Sequence, residues 1–411
     1  MSDALVTEAA ESAPVVPATR ADALAVADQI AILIAEGSIE RDRQRGAPLE
    51  QLRAISGSGL LGISVPVERG GPGLLPGTVA EVFRRLARGD SSVAQMLLAH
   101  FVLLDKLSEL PLDDPTATAI FDEVKAGAQL GNATAERGTK HGWQHRTTVA
   151  PEPEGGWRIN GIKYYATGSL GAQWIAVGAL RDKDHPVTAY IRPDEEGVTL
   201  NLEDWSSFGQ RSTHSGTVVL EDVFVADEMV DDRGPRVEDP APTVHGAYDQ
   251  ILHAAIDVGI ARAALEDGSE FVRTRTRPWR EAESGRAAEE PHLIRRVGEL
   301  KVRLDALEAM LSAAGTFIDD ALAAPELDDE NTAAASLAVA AVKALSQELA
   351  IEIASGVLEL AGTSSTDEKH GLDRHWRNLR VHTLHDPARW KYFHIGNHFL
   401  NGVRPPRSEL L

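Results

Sequence analysis

Apolar residues in the first part of the chain recur at helical spacing. Leu24, Ala27, Ile30, Leu33 and Ile34 form one stripe, and Leu49, Leu52 and Ile55 begin a second helix. Residues 59–66 then lead into Glu68-Arg-Gly-Gly-Pro-Gly73, a turn-rich break, before helical patterning resumes over 78–87 and 91–107. The texture changes at Gln129. Short β-type runs follow at 146–150, 157–159, 163–166, 174–177, 187–191, 198–202, 217–220 and 223–225. Turn residues separate them, with Asn160-Gly161 reading as one tight turn. These runs predict a small antiparallel barrel or sandwich of roughly 100 residues. A Pro/Asp-rich linker at 231–242 returns the chain to helix. Leu293, Val297, Leu300, Leu304, Leu307 and Leu311 step by four and three, and Val342, Leu345, Leu349 and Ile353 form another such stripe. The pattern predicts an α+β chain: a tail over 1–19, a helical domain over 20–128, a β domain over 129–235 and a helical bundle over 236–411.

Composition narrows the possibilities. The 411 residues suffice for two or three domains with sizeable cores. Acidic residues (62) outnumber basic ones (41), giving a net charge of −21 that would repel nucleic acid or an anionic membrane. The absence of cysteine excludes disulfides, thiolate nucleophiles and thiolate-ligated metals. Residues 1–19 are rich in Ala, Glu, Ser and Pro, and read as a disordered tail rather than a signal peptide. No uninterrupted apolar run approaches the ~20 residues needed to span a bilayer, so a cytoplasmic protein is expected. Gly71-Pro-Gly73 with Gly77 lacks the spacing and the βαβ surroundings of a dinucleotide fingerprint. Reducing equivalents would therefore come from elsewhere. Nor do the histidines fall at metal-ligand spacing.

The densest chemistry lies near the C-terminus. Leu372-Asp-Arg-His-Trp-Arg-Asn-Leu-Arg-Val-His-Thr-Leu-His-Asp-Pro387 sets His375, His382 and His385 among Arg374, Arg377 and Arg380. Histidine titrates nearest neutrality, so such a cluster suits proton transfer. A further histidine, His100, sits in the apolar helical stretch Leu97-Leu-Ala-His-Phe101.

Three other segments matter together: Gly59–Gly73; Asn160-Gly-Ile-Lys-Tyr-Tyr-Ala-Thr-Gly168; and Gly209-Gln-Arg211 followed by Ser215-Gly216 and Leu220-Glu-Asp-Val223. In this order, within a helix–strand–helix pattern, they resemble the acyl-CoA dehydrogenase superfamily over nearly everything from Ala21 onward. Within it, Gly131-Asn-Ala-Thr-Ala-Glu136, Phe271-Val-Arg-Thr-Arg-Thr-Arg-Pro-Trp279 and 374–387 look like the flavin-dependent monooxygenases of the sulfur-acquisition and dibenzothiophene-monooxygenase group. Where the dehydrogenases carry a glutamate base, this chain reads Leu384-His385-Asp386-Pro387.

The resemblance implies roles for particular residues, each with a plainer alternative. Thr167 would set a hydroxyl at the flavin N5 edge, or be an ordinary β-branched strand residue. Tyr165, two residues earlier and on the same face by strand alternation, would cover the ring, or be a core tyrosine. Asn132 and Thr134 would meet the pyrimidine edge, or make turn bonds. Phe208 joins this implied flavin-binding set. Arg275 and Arg277 would grip flavin phosphate from a neighbouring subunit, or form a solvated helix end. Gly362, Thr363 and Ser364 would complete that phosphate site, or be an ordinary helix terminus. His100 and His385 would flank the flavin and handle protons, although a lone histidine on an apolar face is commonly a satisfied core residue. His375 and His382 read as helix-surface or interface residues.

The function so implied is a two-component monooxygenase. Reduced FMN from an NAD(P)H:FMN reductase would react with O2 to a C4a-hydroperoxyflavin, which would oxygenate a small, organosulfur substrate in a homotetramer. One alternative is an FAD-dependent acyl-CoA dehydrogenase with Asp386 as base. Another is a non-catalytic flavin-binding scaffold.

Overall fold

The computed structural model describes residues 13–140, 144–183, 185–233, 241–408 and 410–411. Six helices come first: α1 (Arg20–Ala35), α2 (Ser38–Gln44), α3 (Leu49–Gly57), α4 (Pro76–Gly89), α5 (Ser91–Ser108) and α6 (Pro115–Lys125). Their starts are chemically marked. The Thr19 hydroxyl accepts from the amide of Asp22 at 3.2 Å, and the Asp90 carboxylate accepts from the amides of Ser92 and Val93. Of the α1 stripe, Ala27, Ile30 and Ile34 are buried while Leu33 faces outward. Residues 1–12 of the expected tail lie outside the described residues. By Val16 the chain already packs against the core, over Gly59 and Gly62.

Eight strands follow: β1 (Leu130–Ala133), β2 (Thr148–Pro151), β3 (Trp157–Tyr164), β4 (Trp174–Asp182), β5 (His185–Ile191), β6 (Val198–Asn201), β7 (Thr217–Val225) and β8 (Val230–Asp231). The sheet order is β6-β7-β3-β2-β4-β5-β8, with β1 also beside β4. The expected all-antiparallel pattern is corrected here. β1 and β2 each run parallel to β4, so the sheet is mixed. Asn160-Gly161 is not a turn. β3 runs straight through it with a shifted register against β7, and Asn160 Oδ1 accepts from the amide of Asp222. The runs at 217–220 and 223–225 form one strand, bent at Asp222, whose φ is +58°.

The remaining helices are α7 (His245–Thr274), α8 (Pro291–Ala323), α9 (Asp329–Ala361), α10 (Asp373–His382) and α11 (Ala388–Asn401). α7 is buried along most of its length, enclosed by α4, α8 and α9, and the seam Leu300, Leu304, Leu307 and Leu311 of α8 is buried as the spacing predicts. By length and apolarity α9 could cross a membrane; here it lies along α7 and α8, with Ala335, Val339, Val342 and Ile353 buried. α10 crosses α7 and α9, carrying the histidine-rich segment against the bundle.

Candidate functional site

The turn after β3 does not extend the strand. Tyr165 adopts φ +66°, a left-handed conformation costing a non-glycine residue about 1 kcal/mol. The chain folds back so that the Thr167 amide donates to the Tyr165 carbonyl at 2.7 Å. Alternation therefore does not set Tyr165 and Thr167 on one face; a turn brings them together. Tyr165 remains 53 % exposed, flanked by Tyr164 and by Trp205 at 6.0 Å. Gly168 is fixed by crowding, since its φ is +81° and a Cβ would strike the Met96 carbonyl of α5.

Asn132 lies on β1, a strand that the sequence reading left as loop. Its amide donates to the Thr167 carbonyl at 3.1 Å, and its side-chain oxygen accepts from the Thr134 amide at 3.0 Å. Lys163, fully buried, donates to the Thr134 carbonyl at 3.1 Å and to Glu136 at 2.6 Å. Burial alone would raise the Glu136 pKa. The Lys163 hydrogen bond and the amide and hydroxyl of Thr147 outweigh it, holding the carboxyl down at about 2. Asn132, Thr134, Tyr165 and Thr167 are thus gathered by two backbone bonds and one from the Thr134 amide to the Asn132 side chain.

A chain of hydroxyls runs inward from Thr167. Thr167 Oγ1 lies 2.8 Å from Ser215 Oγ, which lies 2.9 Å from Thr213 Oγ1, which lies 3.0 Å from the Gln210 carbonyl. A carbonyl only accepts, so Thr213 must donate to it, Ser215 to Thr213, and Thr167 to Ser215. The free lone pair of Thr167 can then accept a hydrogen bond from outside the chain. Gln210 itself is buried. Its side-chain oxygen accepts from Ser91 and Ser92 of α5, and its amide donates to Asn378 of α10 at 2.7 Å. Phe208, 47 % exposed, stacks on Trp376 of α10 at 6.4 Å, while Arg377 donates to the Phe208 carbonyl. Gly209 permits this contact, because a Cβ there would collide with the Arg377 carbonyl.

His100 is placed otherwise than the resemblance implies. It is fully buried in α5, with Nε2 2.9 Å from the Leu61 carbonyl and Nδ1 accepting from the Leu130 amide at 3.1 Å. This fixes the neutral Nε2–H tautomer, and burial lowers its pKa to about 4. Both ring nitrogens are engaged, Nδ1 joining α5 to β1 and Nε2 joining it to the turn at residues 60–62, which leaves neither for proton transfer. The same helix carries a residue that sequence reasoning missed. Gln95, next to Met96, has a buried Oε1 without a hydrogen-bond partner among the described residues. A lone amide in an apolar helix was the available signal.

The two segments expected to bind phosphate do meet. Thr276 Oγ1 donates to the Ala361 carbonyl at 3.2 Å, Arg275 reaches His370 Nδ1 at 3.1 Å, and Phe271 packs with Ala361 and Leu372. Arg275, Arg277, Thr363 and Ser364 are exposed, and Gly362 takes φ +75°. Among the described residues, no hydrogen bond or ring contact joins this cluster to Thr167 or Phe208.

His385 follows α10 with its side chain 42 % exposed, its ring lying on that of His253 from α7 with centroids 4.0 Å apart and planes 26° from parallel. Behind His253 stands a buried polar column. His253 Nδ1 is 3.1 Å from His382 Nε2, His382 Nδ1 is 2.6 Å from Asp257, and Asp257 accepts from Lys343 and Ser346 of α9. His382 and His375 are therefore buried where α10 meets α7, which corrects the helix-surface half of their reading; His375 Nε2 meets Asp267 at 2.8 Å. His253, Asp257 and Lys343 were not legible, because in one dimension they look like isolated polar residues on core helices. Asp386, the candidate dehydrogenase base, is buried and paired with Lys391 at 2.5 Å. Burial opposes its ionisation, but His385, Lys343 and Lys391 together hold its pKa well below the ordinary carboxylate range. Its Oδ2 is taken by Lys391, while its Oδ1 is buried without a hydrogen-bond partner among the described residues, 3.7 Å from His385 Nδ1.

Residues 23–108 match the acyl-CoA dehydrogenase N-terminal domain and residues 251–390 the acyl-CoA dehydrogenase C-terminal domain. The chain is 31 % identical over 378 residues to a dibenzothiophene monooxygenase of Mycolicibacterium goodii, covering 89 % of this chain and 91 % of that one. The chain belongs to the acyl-CoA dehydrogenase superfamily. Within it, the similarity is to the flavin-dependent monooxygenases. A Pseudomonas putida protein named "Probable FMNH2-dependent monooxygenase SfnC" is 29 % identical over 390 residues, covering 94 % of this chain and 96 % of that one. The crystal structure of FMN-bound TdsC from Paenibacillus sp. A11-2 superposes with a TM-score of 0.87 at 31 % identity, covering 95 % of this chain and all of that one. A flavin-dependent oxidoreductase of this superfamily, rather than a non-catalytic scaffold, is what these likenesses support.

Proposed function

We propose that the chain is an FMNH2-dependent monooxygenase that oxygenates a small organosulfur compound, drawing reduced flavin from a separate NAD(P)H:FMN reductase. The observation that carries the reading is the contrast between neighbours: His385 offers a half-exposed imidazole, whereas Asp386 is locked to Lys391. A dehydrogenase needs a carboxylate basic enough to remove a proton from carbon, and the cations around Asp386 hold its pKa so low that it is a weak base. The names of the relatives agree, one being a dibenzothiophene monooxygenase and another a probable FMNH2-dependent monooxygenase.

The residues present suit a flavin. Tyr165 and Phe208 leave aromatic surface uncovered, and the Gln95 Oε1 is a buried acceptor awaiting a donor. The Thr167 oxygen is likewise left as an acceptor by its hydroxyl chain, matched to a ring N–H that reduced flavin has and oxidised flavin lacks at N5. Arg275 and Arg277, with Gly362, Thr363 and Ser364, would hold the phosphate; guanidinium suits phosphate oxygens. Bound reduced flavin supplies the activation of O2. His385 then holds or returns a proton beside the reacting oxygen, while Asn132 and Thr134 orient the ring.

A homotetramer completes the reading. Trp390, Phe393, Phe399 and Leu400 expose a broad apolar face of α11, more than a lone chain ordinarily leaves uncovered. A second copy also explains why the arginine cluster stands without contact to Thr167. The enzyme is placed in the cytoplasm, beside its reductase. The test is turnover with FMN, NADH and a flavin reductase against sulfones, thiophenes and sulfinates. Product formed in step with NADH supports the reading. Turnover of acyl-CoAs with an artificial acceptor and no reductase would replace it.

A further inference from the structure

Among the described residues no hydrogen bond fixes the plane of the His385 ring; the Asp386 carboxylate is 3.7 Å from Nδ1. What it does have is a partner face. We propose that His253 is the positioning residue for His385: a neutral imidazole platform, held flat by the Asp257–His382 column, that sets the orientation in which His385 meets the reacting oxygen. This rests on the function proposed above.

The column determines its own polarity. Asp257 can only accept as a carboxylate, so His382 presents Nδ1–H to it. Lys343 already balances the Asp257 charge, and burial, the largest influence, holds the His382 pKa down. The Nε2 of a neutral His382 is an acceptor, which obliges His253 to donate from Nδ1. One hydrogen bond thus fixes both the tautomer and the plane of His253. The groups facing His253 come from every surrounding element: Asp249 and Asp257 of α7, Lys343 of α9, His382 of α10, His385 and Asp386 after it, and Lys391 of α11. Burial first, then His385, His382 and the two lysines, keep a proton off His253. A neutral face tolerates a cation stacked on it, whereas a protonated face would repel one. The stack does not conduct protons, since parallel rings aim no N–H at one another; it orients.

The test compares His253→Phe, which keeps a ring without nitrogens, with His253→Leu, which removes the ring. His253→Met replaces the latter should it not fold. Crystal structures of each report the His385 rotamer, and assays with reductase, FMN and an organosulfur substrate report product per NADH from acid to neutral pH. We expect His385 to hold one orientation in the wild type and in His253→Phe, and to spread over several in His253→Leu. In His253→Leu, kcat for product should fall about tenfold while KM changes by less than about twofold, since ~1 Å misplacements cost up to ~100-fold. The acid limb of the product-per-NADH profile should stay in place in His253→Phe, because the wild-type platform already carries no proton. An ordered, unmoved His385 in the leucine variant overturns the proposal, as does an acid limb that shifts in the phenylalanine variant. Should the wild type oxygenate nothing, the assignment of function fails while the rotamer comparison still decides the role of His253.

Discussion

His385 and Asp386 are neighbours in sequence with opposite fates. Replacing His385 with Ala should leave folding intact and divert reducing equivalents to hydrogen peroxide, seen as NADH oxidation without matching product. Asp386→Asn acts on the fold instead. It strands the Lys391 ammonium among buried groups, a loss of about 3–5 kcal/mol that a denaturant titration would register. At Thr167, Val removes the acceptor and Ser keeps it. The valine variant should bind FMNH2 about tenfold more weakly with little change for oxidised FMN, on the scale of one charge-free hydrogen bond lost in a closed site. Equal losses for both redox forms would remove the acceptor role. At this scale local motifs single out His385, Thr167 and Asn132 as candidates. The buried setting of His100 was not legible, because a motif fixes a helix but not which face of it looks inward; five residues back, on another face, Gln95 carries the open acceptor.

Among the elements, the helical seams and most strands follow from periodicity, since burial on one face imposes it directly. β1 escaped because four residues in a parallel pairing show no alternation, and the bulge at Asn160 escaped because Asn-Gly is equally a turn signal. The coupling of α10 to the 208–215 loop could not be read from sequence at all, for it depends on Gly209 lying against the Arg377 carbonyl. Gly209→Ala should therefore push loop and helix apart, lowering both melting temperature and flavin affinity. Asn378→Ala, which leaves the Gln210 amide buried without its acceptor, should cost about 1–3 kcal/mol in a chemical melt.

For the molecule as a whole, acid should act in two stages. His100 stays neutral when folded until about pH 4 but titrates near 6.5 once unfolded. Between those values the unfolded chain holds more protons, so stability falls as pH drops, by about 3 kcal/mol for this one ring. His253, His375 and His382, also held low by burial, add in the same direction. Below about pH 4 the depressed carboxyls Glu136, Asp257, Asp267 and Asp386 take over, because their contribution vanishes as they protonate. Melting temperature followed from pH 8 to 3 should fall in both windows, and His100→Gln should flatten the first.

Lys343 gives α9 a conscience about where it settles. An alanine-rich rod of 33 residues presents a smooth flank, and such flanks can slide by a turn with little penalty. Any such slip would strand an ammonium in hydrocarbon opposite no acid, whereas the native alignment alone delivers it to Asp257 at 3.1 Å. Exchanging Lys343 and Asp257 together for Met and Leu should then keep the helices associated yet blur the near-ultraviolet signature of a single arrangement, the mark of a core that adheres without choosing its alignment.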